Sequence, residues 1–294
     1  GPNGPLGISE DLSGLGVGTY TITVTDVLGC SSTSSITLVG PPPIIAMATA
    51  HVYPNGSNLS CANSADGSIN LSLSGGHPPY TVAWSGPNSF VGSGINLSGL
   101  AQGLYTAVIT DANGCSTSVH ITLVAPTPIN VGITTSQYSG GTQVSCSGTA
   151  DGTITATVSG GSPGYQLHWT GPDGFTSTSA TLTGLAPGAY SLTVTDLSGC
   201  STTIPVVLSA PPAITVSAVL SDYNGAQVSC SGNDGSINLT IGGGQPGYQF
   251  DWSGPNGFAS QAEDLTGLAA GTYGVTVCDV NVCSAQRTYA LQAR

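Results

Sequence analysis

The sequence predicts an all-β chain made of tandem Ig-like β-sandwich modules stacked end to end, and three observations predict it. A string running from Leu-x-x-Gly-x-Tyr, through alternating apolar and small polar residues, to Asp and Cys occurs at residues 15–30, 100–115, 185–200 and 268–283. Trp84, Trp169 and Trp252 recur 85 and 83 residues apart. No stretch combines a helical period with caps, whereas period-two runs bounded by Gly, Pro, Asn and Asp return every ~8–12 residues, the pattern of a sandwich. Self-similarity at a fixed length marks an array whose unit is the repeat.

The landmarks divide the chain into residues 1–43, 44–128, 129–213 and 214–294. Each of the last three is expected to be an Ig-like module. Residues 1–43, which open on the Gly-Pro-Asn-Gly found again at Gly254, read as the second half of a truncated one. Modules end at Pro41-Pro42-Pro43, Pro126-Thr127-Pro128 and Pro211-Pro212, and a strand pattern resumes at once. With no spare linker, neighbouring modules are expected to be semi-rigid.

Residues 129–213 serve as the example. Residues 129–135 alternate as a first strand, Tyr138-Ser139-Gly140-Gly141 turns, and 143–146 read as a short returning strand. Asp151-Gly152 opens a strand over 153–158 that stops at Gly160-Gly161. Strands over 165–169, 180–185, 190–195 and 201–208 complete the module. In the third of these, Tyr190, Leu192 and Val194 face the core and Ser191, Thr193 and Thr195 face out. Trp84, Trp169 and Trp252 are the expected core anchors. Tyr20, Tyr105, Tyr190 and Tyr273 are placed as tyrosine corners, in which the hydroxyl bonds back to the backbone upstream.

Composition excludes several function classes. Charged residues make up 5% of the chain, against roughly a quarter in average globular proteins. Lysine is absent and the arginines are Arg287 and Arg294, giving a formal charge of −12. Nothing is available to neutralise phosphates, so nucleic acid is not an expected partner. An anionic membrane surface is disfavoured for the same reason. No apolar run approaches the ~18 residues of a membrane span, so membrane insertion is not expected in this segment. The start carries no charged and apolar leader pattern, which places any targeting signal elsewhere in a longer chain. Trypsin-like proteases find few sites, and Lys-Asn isopeptide cross-links are chemically impossible.

Cysteine must therefore supply any covalent brace. Cys61 and Cys115, Cys146 and Cys200, and Cys230 and Cys283 are separated by 54, 54 and 53 residues, so one bond per module is expected, with Cys30 unpaired. Geometry objects, because the turn after the first strand and the turn between the last two lie at opposite poles of an Ig sandwich. That is beyond the ~7 Å Cα limit of a disulfide. The extra turns at Pro54-Asn55-Gly56, Gly140-Gly141 and Asn224-Gly225 are read as letting the first strand double back and carry its cysteine across. Closing such a loop stabilises a module by about 4 kcal/mol in the chain-entropy model, and it requires an oxidising compartment. Cys278 replaces the Thr of the other copies on the face opposite the core. It either pairs with Cys283, leaving Cys230 free, or is available for an intermolecular bond; the regular Cys230–Cys283 pairing is expected, with Cys278 unassigned.

No catalytic constellation emerges. His51, His77, His120 and His168 occupy no equivalent repeat position, and Glu10 and Glu263 sit at equivalent places in different modules. The chain is not expected to be an enzyme, and no cofactor is expected apart from calcium as a candidate. Asp66, Asp151 and Asp234 recur before Gly, and Asp111, Asp196 and Asp279 recur before the last cysteine of each copy. A hard cation takes six to eight oxygens and each loop carries one acid, so turn formation is the simpler role. The recurrent Tyr53, Tyr138 and Tyr223 are the best aromatics for a carbohydrate-binding face.

Together Cys-x-Gly/Asn, Asp-Gly-Ser/Thr-Ile, Gly-Gly-x-Pro-x-Tyr, Trp, Leu-x-x-Gly-x-Tyr-x-x-x-Val/Ile-Thr-Asp-x-x-Gly-Cys and a closing Pro resemble the SprB-type repeat of Bacteroidetes gliding and cell-surface adhesins. The last copy departs at Cys278 and at Val282, which stands where the others have Gly. The resemblance implies a long extracellular surface filament used in adhesion or gliding motility, exported by a type IX route. Its expected partners are further copies of the repeat, in the same or neighbouring chains, and surface glycans. The alternatives are a carbohydrate-binding surface module, or a filament subunit whose half module is completed by a neighbouring chain.

Overall fold

The computed structural model describes residues 1–4, 6–7, 10–230 and 232–294. Among the described residues the named strands pair antiparallel, three 3-10 turns accompany them, and one isolated parallel bridge joins Val228 to Ala293. The chain divides into two compact units, Gly1–Pro126 and Thr127–Arg294.

In the first unit, β1 (Gly18–Thr25) and β2 (Ser31–Leu38) form a hairpin whose register pairs Gly18 with Leu38 and Thr25 with Ser31. Its Ile22, Val24 and Ile36 are exposed. On the hairpin, Thr21 and Ser35 hydrogen-bond across the strands at 2.9 Å, as small hydroxyl pairs do on an open sheet face. A complete sandwich follows: β3 (Ile45–Ala50), β4 (Gly67–Ser74), β5 (Thr81–Ser85), β6 (Val91–Ser93), β7 (Asn96–Leu100), β8 (Gly103–Thr110) and β9 (Ser116–Leu123). One sheet runs β3-β4-β7 and the other β6-β5-β8-β9.

The second unit repeats this arrangement twice. Its first sandwich is β10 (Asn130–Thr135), β11 (Gly152–Ser159), β12 (Gln166–Thr170), β13 (Thr176–Ser177), β14 (Thr181–Leu185), β15 (Gly188–Thr195) and β16 (Ser201–Leu208). Its second is β17 (Thr215–Leu220), β18 (Gly235–Gly242), β19 (Gln249–Ser253), β20 (Ala259–Ser260), β21 (Leu265–Leu268), β22 (Gly271–Cys278) and β23 (Ser284–Leu291). The sheets are β10-β11-β14 with β13-β12-β15-β16, and β17-β18-β21 with β20-β19-β22-β23.

The alternation read from the sequence places the core. Along β15, Tyr190, Leu192 and Val194 are buried while their neighbours are not. Trp84, Trp169 and Trp252 are almost fully buried, and each indole N–H donates to a backbone carbonyl, as Trp169 does to Ser179 at 3.0 Å. A buried indole needs that partner. The tyrosine corners form in all four copies: the hydroxyls of Tyr20, Tyr105, Tyr190 and Tyr273 donate to Gly16, Ala101, Ala186 and Ala269 at 2.7, 3.0, 2.9 and 3.0 Å. Phe90, Phe175 and Phe258 meet the last three edge-on.

One element differs from expectation. Residues 143–146 form no returning strand. They belong to a loop that closes the lower end of the sandwich, with Val144 fully buried and the N–H groups of Gln143 and Val144 both donating to Ser209 O beyond β16. Leu59 and Val228 are the equivalent fully buried plugs. The backbone donors are taken by the end of the last strand, so the segment has no need of a ladder.

Candidate functional site: the junction between repeats

The turn between the last two strands is organised by its aspartate. Asp196 Oδ1 accepts from the N–H groups of Ser198 and Cys200, and Oδ2 accepts from Ser162 N–H, all at 2.9 Å. Asp111 does the same with Asn113, Cys115 and His77, and Asp279 with Asn281, Cys283 and Gln245. These three carboxylates are buried, and each ties the last turn to the Gly-Gly segment beside it. At Asp111, burial alone raises the pKa, and the N–H groups of His77, Cys115 and Asn113 outweigh it and lower the value.

The Gly-Gly segment seats the incoming chain at the same pole. Gly160 has φ +73°, and a Cβ there would lie 2.0 Å from Pro128 O. Only glycine fits beneath the proline linker. The hydroxyl of Tyr165 then donates to Gly160 O at 2.5 Å.

The loop after the first strand is built at the opposite pole. Asp151 Oδ1 accepts from Ser145 N–H at 3.1 Å, and Tyr138 donates its hydroxyl to Asp151 O at 3.4 Å. Asp66 holds Ser60 N–H and Ser64 Oγ in the same way, at 3.2 and 2.7 Å. Partial desolvation pushes Asp66 upward, and the bonds from Ser60 and Ser64 overcome it, leaving a pKa of about 2.

Within residues 127–294 the two poles meet between repeats. Cys146, on the lower loop of one sandwich, is bonded to Cys283, on the upper turn of the next, with Cα atoms 5.5 Å apart and 137 residues between them in sequence. Around the bond, Asn281 Oδ1 accepts from Ser139 N–H at 3.2 Å, while Asn281 Nδ2 donates to Ser139 O and Ser145 O at 3.2 and 3.4 Å. A Cβ on Gly140 would lie 2.2 Å from the Gln245 side chain, so the facing loops touch with little room to spare. Ser145 and Cys283 are buried here.

This corrects the expected pairing. Cys61–Cys115, Cys146–Cys200 and Cys230–Cys283 are not formed: Cys115 and Cys230 carry free thiols, and Cys146 is bonded to Cys283. Cys61 and Cys200 are disulfide-bonded as well. The extra turn does not make the first strand double back; Tyr138, Val144 and Ser145 stay anchored at the lower pole by Asp151 and Ser209. The polar separation therefore stands, and the bond runs to the neighbouring repeat. Cys30 and Cys278 are free, and Cys278 lies on the outer face of β22. Asn281 and Gln245 were not singled out in the sequence; the signal was Asn113, at Asn281's place in an earlier copy.

The remaining candidates take part in local hydrogen bonds. Asp66, Asp111, Asp151, Asp196, Asp234 and Asp279 each direct oxygens at backbone N–H donors of their own turns. Among the described residues no three His, Cys, Asp or Glu side chains gather as a metal site. Tyr53, Tyr138 and Tyr223 each spend the hydroxyl on the carbonyl of Asp66, Asp151 or Asp234, and only Tyr223 is exposed among the three. His120 bonds Thr106 across two strands at 2.8 Å and faces no acid partner in that bond. No described helix is long and apolar enough to cross a membrane.

The family model for the SprB repeat matches residues 55–89, 141–174 and 224–257. Each match begins in the lower loop and ends in the turn after the tryptophan strand. No curated protein matches the chain. Among solved structures, a tetra-tandem repeat from the extending region of a large adhesion protein is 18% identical, covers 97% of this chain and 84% of its own, and has a TM-score of 0.32. A Ca2+-stabilised adhesin with which an Antarctic bacterium binds ice is 14% identical, covers 94% and 81%, and has a TM-score of 0.34. The chain is a tandem array of Ig-like sandwiches, three segments of which match the SprB repeat.

Proposed function

We propose that this chain is the structural and adhesive repeat region of an extracellular surface filament, a disulfide-braced spacer that does no catalysis. The observation that carries this reading is the Cys146–Cys283 bond with its Asn281 contacts. Together with the peptide linker it joins adjacent sandwiches through a second covalent connection, which is a device for resisting hinge motion under load. It supports an oxidising, extracellular location as well. The near absence of cationic residues favours the same place, since trypsin-like proteases find little to cut. The expected partners are further copies of the repeat, and use in gliding is the activity the repeat type suggests. Antibody raised against residues 127–294 should label intact cells that make the protein. Labelling seen only after the envelope is permeabilised would contradict the proposal.

A further inference from the structure

We propose that the lower tip of the last repeat, from Tyr223 to Cys230, receives the Asp-x-Asn-x-Cys turn of a further copy of this repeat, and that Cys230 forms with that turn's cysteine the bond Cys146 forms with Cys283. The proposal rests on the filament reading and specifies how its units couple.

The two lower tips are chemically alike. Gln-Val-Ser-Cys stands at 143–146 and again at 227–230. Gln227 and Val228 donate their N–H groups to Gln292 O at 3.0 and 3.1 Å, as Gln143 and Val144 do to Ser209 O. Asp234 Oδ1 accepts from Ser229 N–H at 2.9 Å, as Asp151 does from Ser145. The tips differ in cover. Around Cys146 the surface is occupied by Gln245, Asn281 and Cys283. Around Cys230 an open depression of about 510 Å³ is lined by Asp222, Tyr223, Asn224, Ser229, Cys230 and Arg294, and the thiol is exposed.

The complementary surface is also present on this chain. The turn 111–115 has the hydrogen bonding of 279–283, with Asn113 at the place of Asn281 and Cys115 an exposed free thiol. One copy thus offers both halves of the junction, which is a head-to-tail and self-propagating arrangement. The bond forms by exchange with a donor disulfide of an oxidised dithiol. The Cys230 thiolate attacks one donor sulfur and expels the other as a thiolate; the partner cysteine's thiolate then displaces the donor from the mixed disulfide. One S–S bond breaks in the donor, one forms between repeats, and the two thiol protons end on the reduced donor.

The test is to incubate the 294-residue chain in a glutathione and oxidised-glutathione buffer, trap free thiols by alkylation, and map linkages by mass spectrometry after non-reducing electrophoresis. The expected result is a ladder of oligomers in which Cys230 is joined to Cys115, in preference to Cys30, whose turn has Leu28 in place of Asn. Cys230→Ser should abolish the ladder and Cys278→Ser should leave it. A ladder built on Cys230–Cys230 or on Cys278, or complete alkylation of Cys230 and Cys115, would overturn the proposal. In protein recovered from its native source, Cys230 joined to an equivalent turn supports it: an unchanged mass on reduction places the partner in the same polypeptide, a lowered mass in another. Recovery of Cys230 as a free thiol overturns it. Surface labelling does not depend on this linkage, so the two readings fail separately.

Discussion

Cys146 and Cys283 belong to consecutive sandwiches, yet their Cα atoms lie 5.5 Å apart and their sulfurs are bonded. An aspartate holds backbone beside each cysteine: on the lower loop Asp151 accepts from Ser145 N–H, and on the upper turn Asp279 accepts from the N–H groups of Asn281 and Cys283. The junction is thus prepared by groups internal to each repeat and closed by Asn281, which both donates to and accepts from Ser139.

Removing the aspartate of an upper turn should unfasten it. Asp196→Ala strips the acceptor from three backbone N–H groups in a buried setting. Charge-assisted bonds of this kind are each worth about 1.5–3 kcal/mol, so a loss of at least about 3 kcal/mol is expected, by urea unfolding of the whole chain.

Tyr190→Phe isolates the corner bond. The ring stays packed against Phe175, and Ala186 O loses its donor. The expected cost is about 1–2 kcal/mol, with the near-UV circular dichroism of the native state retained.

Val282→Gly should stabilise. Val282 has φ +66° where Gly29, Gly114 and Gly199 have φ between 82° and 86°, and its side chain is exposed. Relief of the left-handed strain, about 1–2 kcal/mol, exceeds the entropy that glycine adds to the unfolded chain. A gain of about 1 kcal/mol in unfolding free energy is expected, read from the shift of the denaturation midpoint.

Acid should weaken the repeat spanning 44–128 in a narrow window. The folded pKa of Asp66 is lowered from 3.8 to about 2, so its contribution is complete above about pH 4 and is lost as pH falls toward 2. Asp111 is lowered too and acts in the same sense. Melting temperature should be flat down to pH 4 and fall below it, and Asp66→Asn should shallow that fall.

Much of this was legible in the residues. Period-two alternation located β15 and β16, and the Leu-x-x-Gly-x-Tyr string located the corners, because both are local patterns. The disulfide partner was not local. In a periodic chain a cysteine one repeat further on is as regular a choice as the one in its own repeat, so spacing alone does not select between Cys200 and Cys283. Polar geometry does select, since the lower loop and the upper turn of one sandwich are a strand length apart. Asn281 stayed hidden because its role exists only across the junction.

The most direct test is non-reducing peptide mapping of the intact chain by mass spectrometry. The account predicts a disulfide-linked pair of peptides containing Cys146 and Cys283, lost on reduction. A Cys146–Cys200 or Cys230–Cys283 linkage would contradict it.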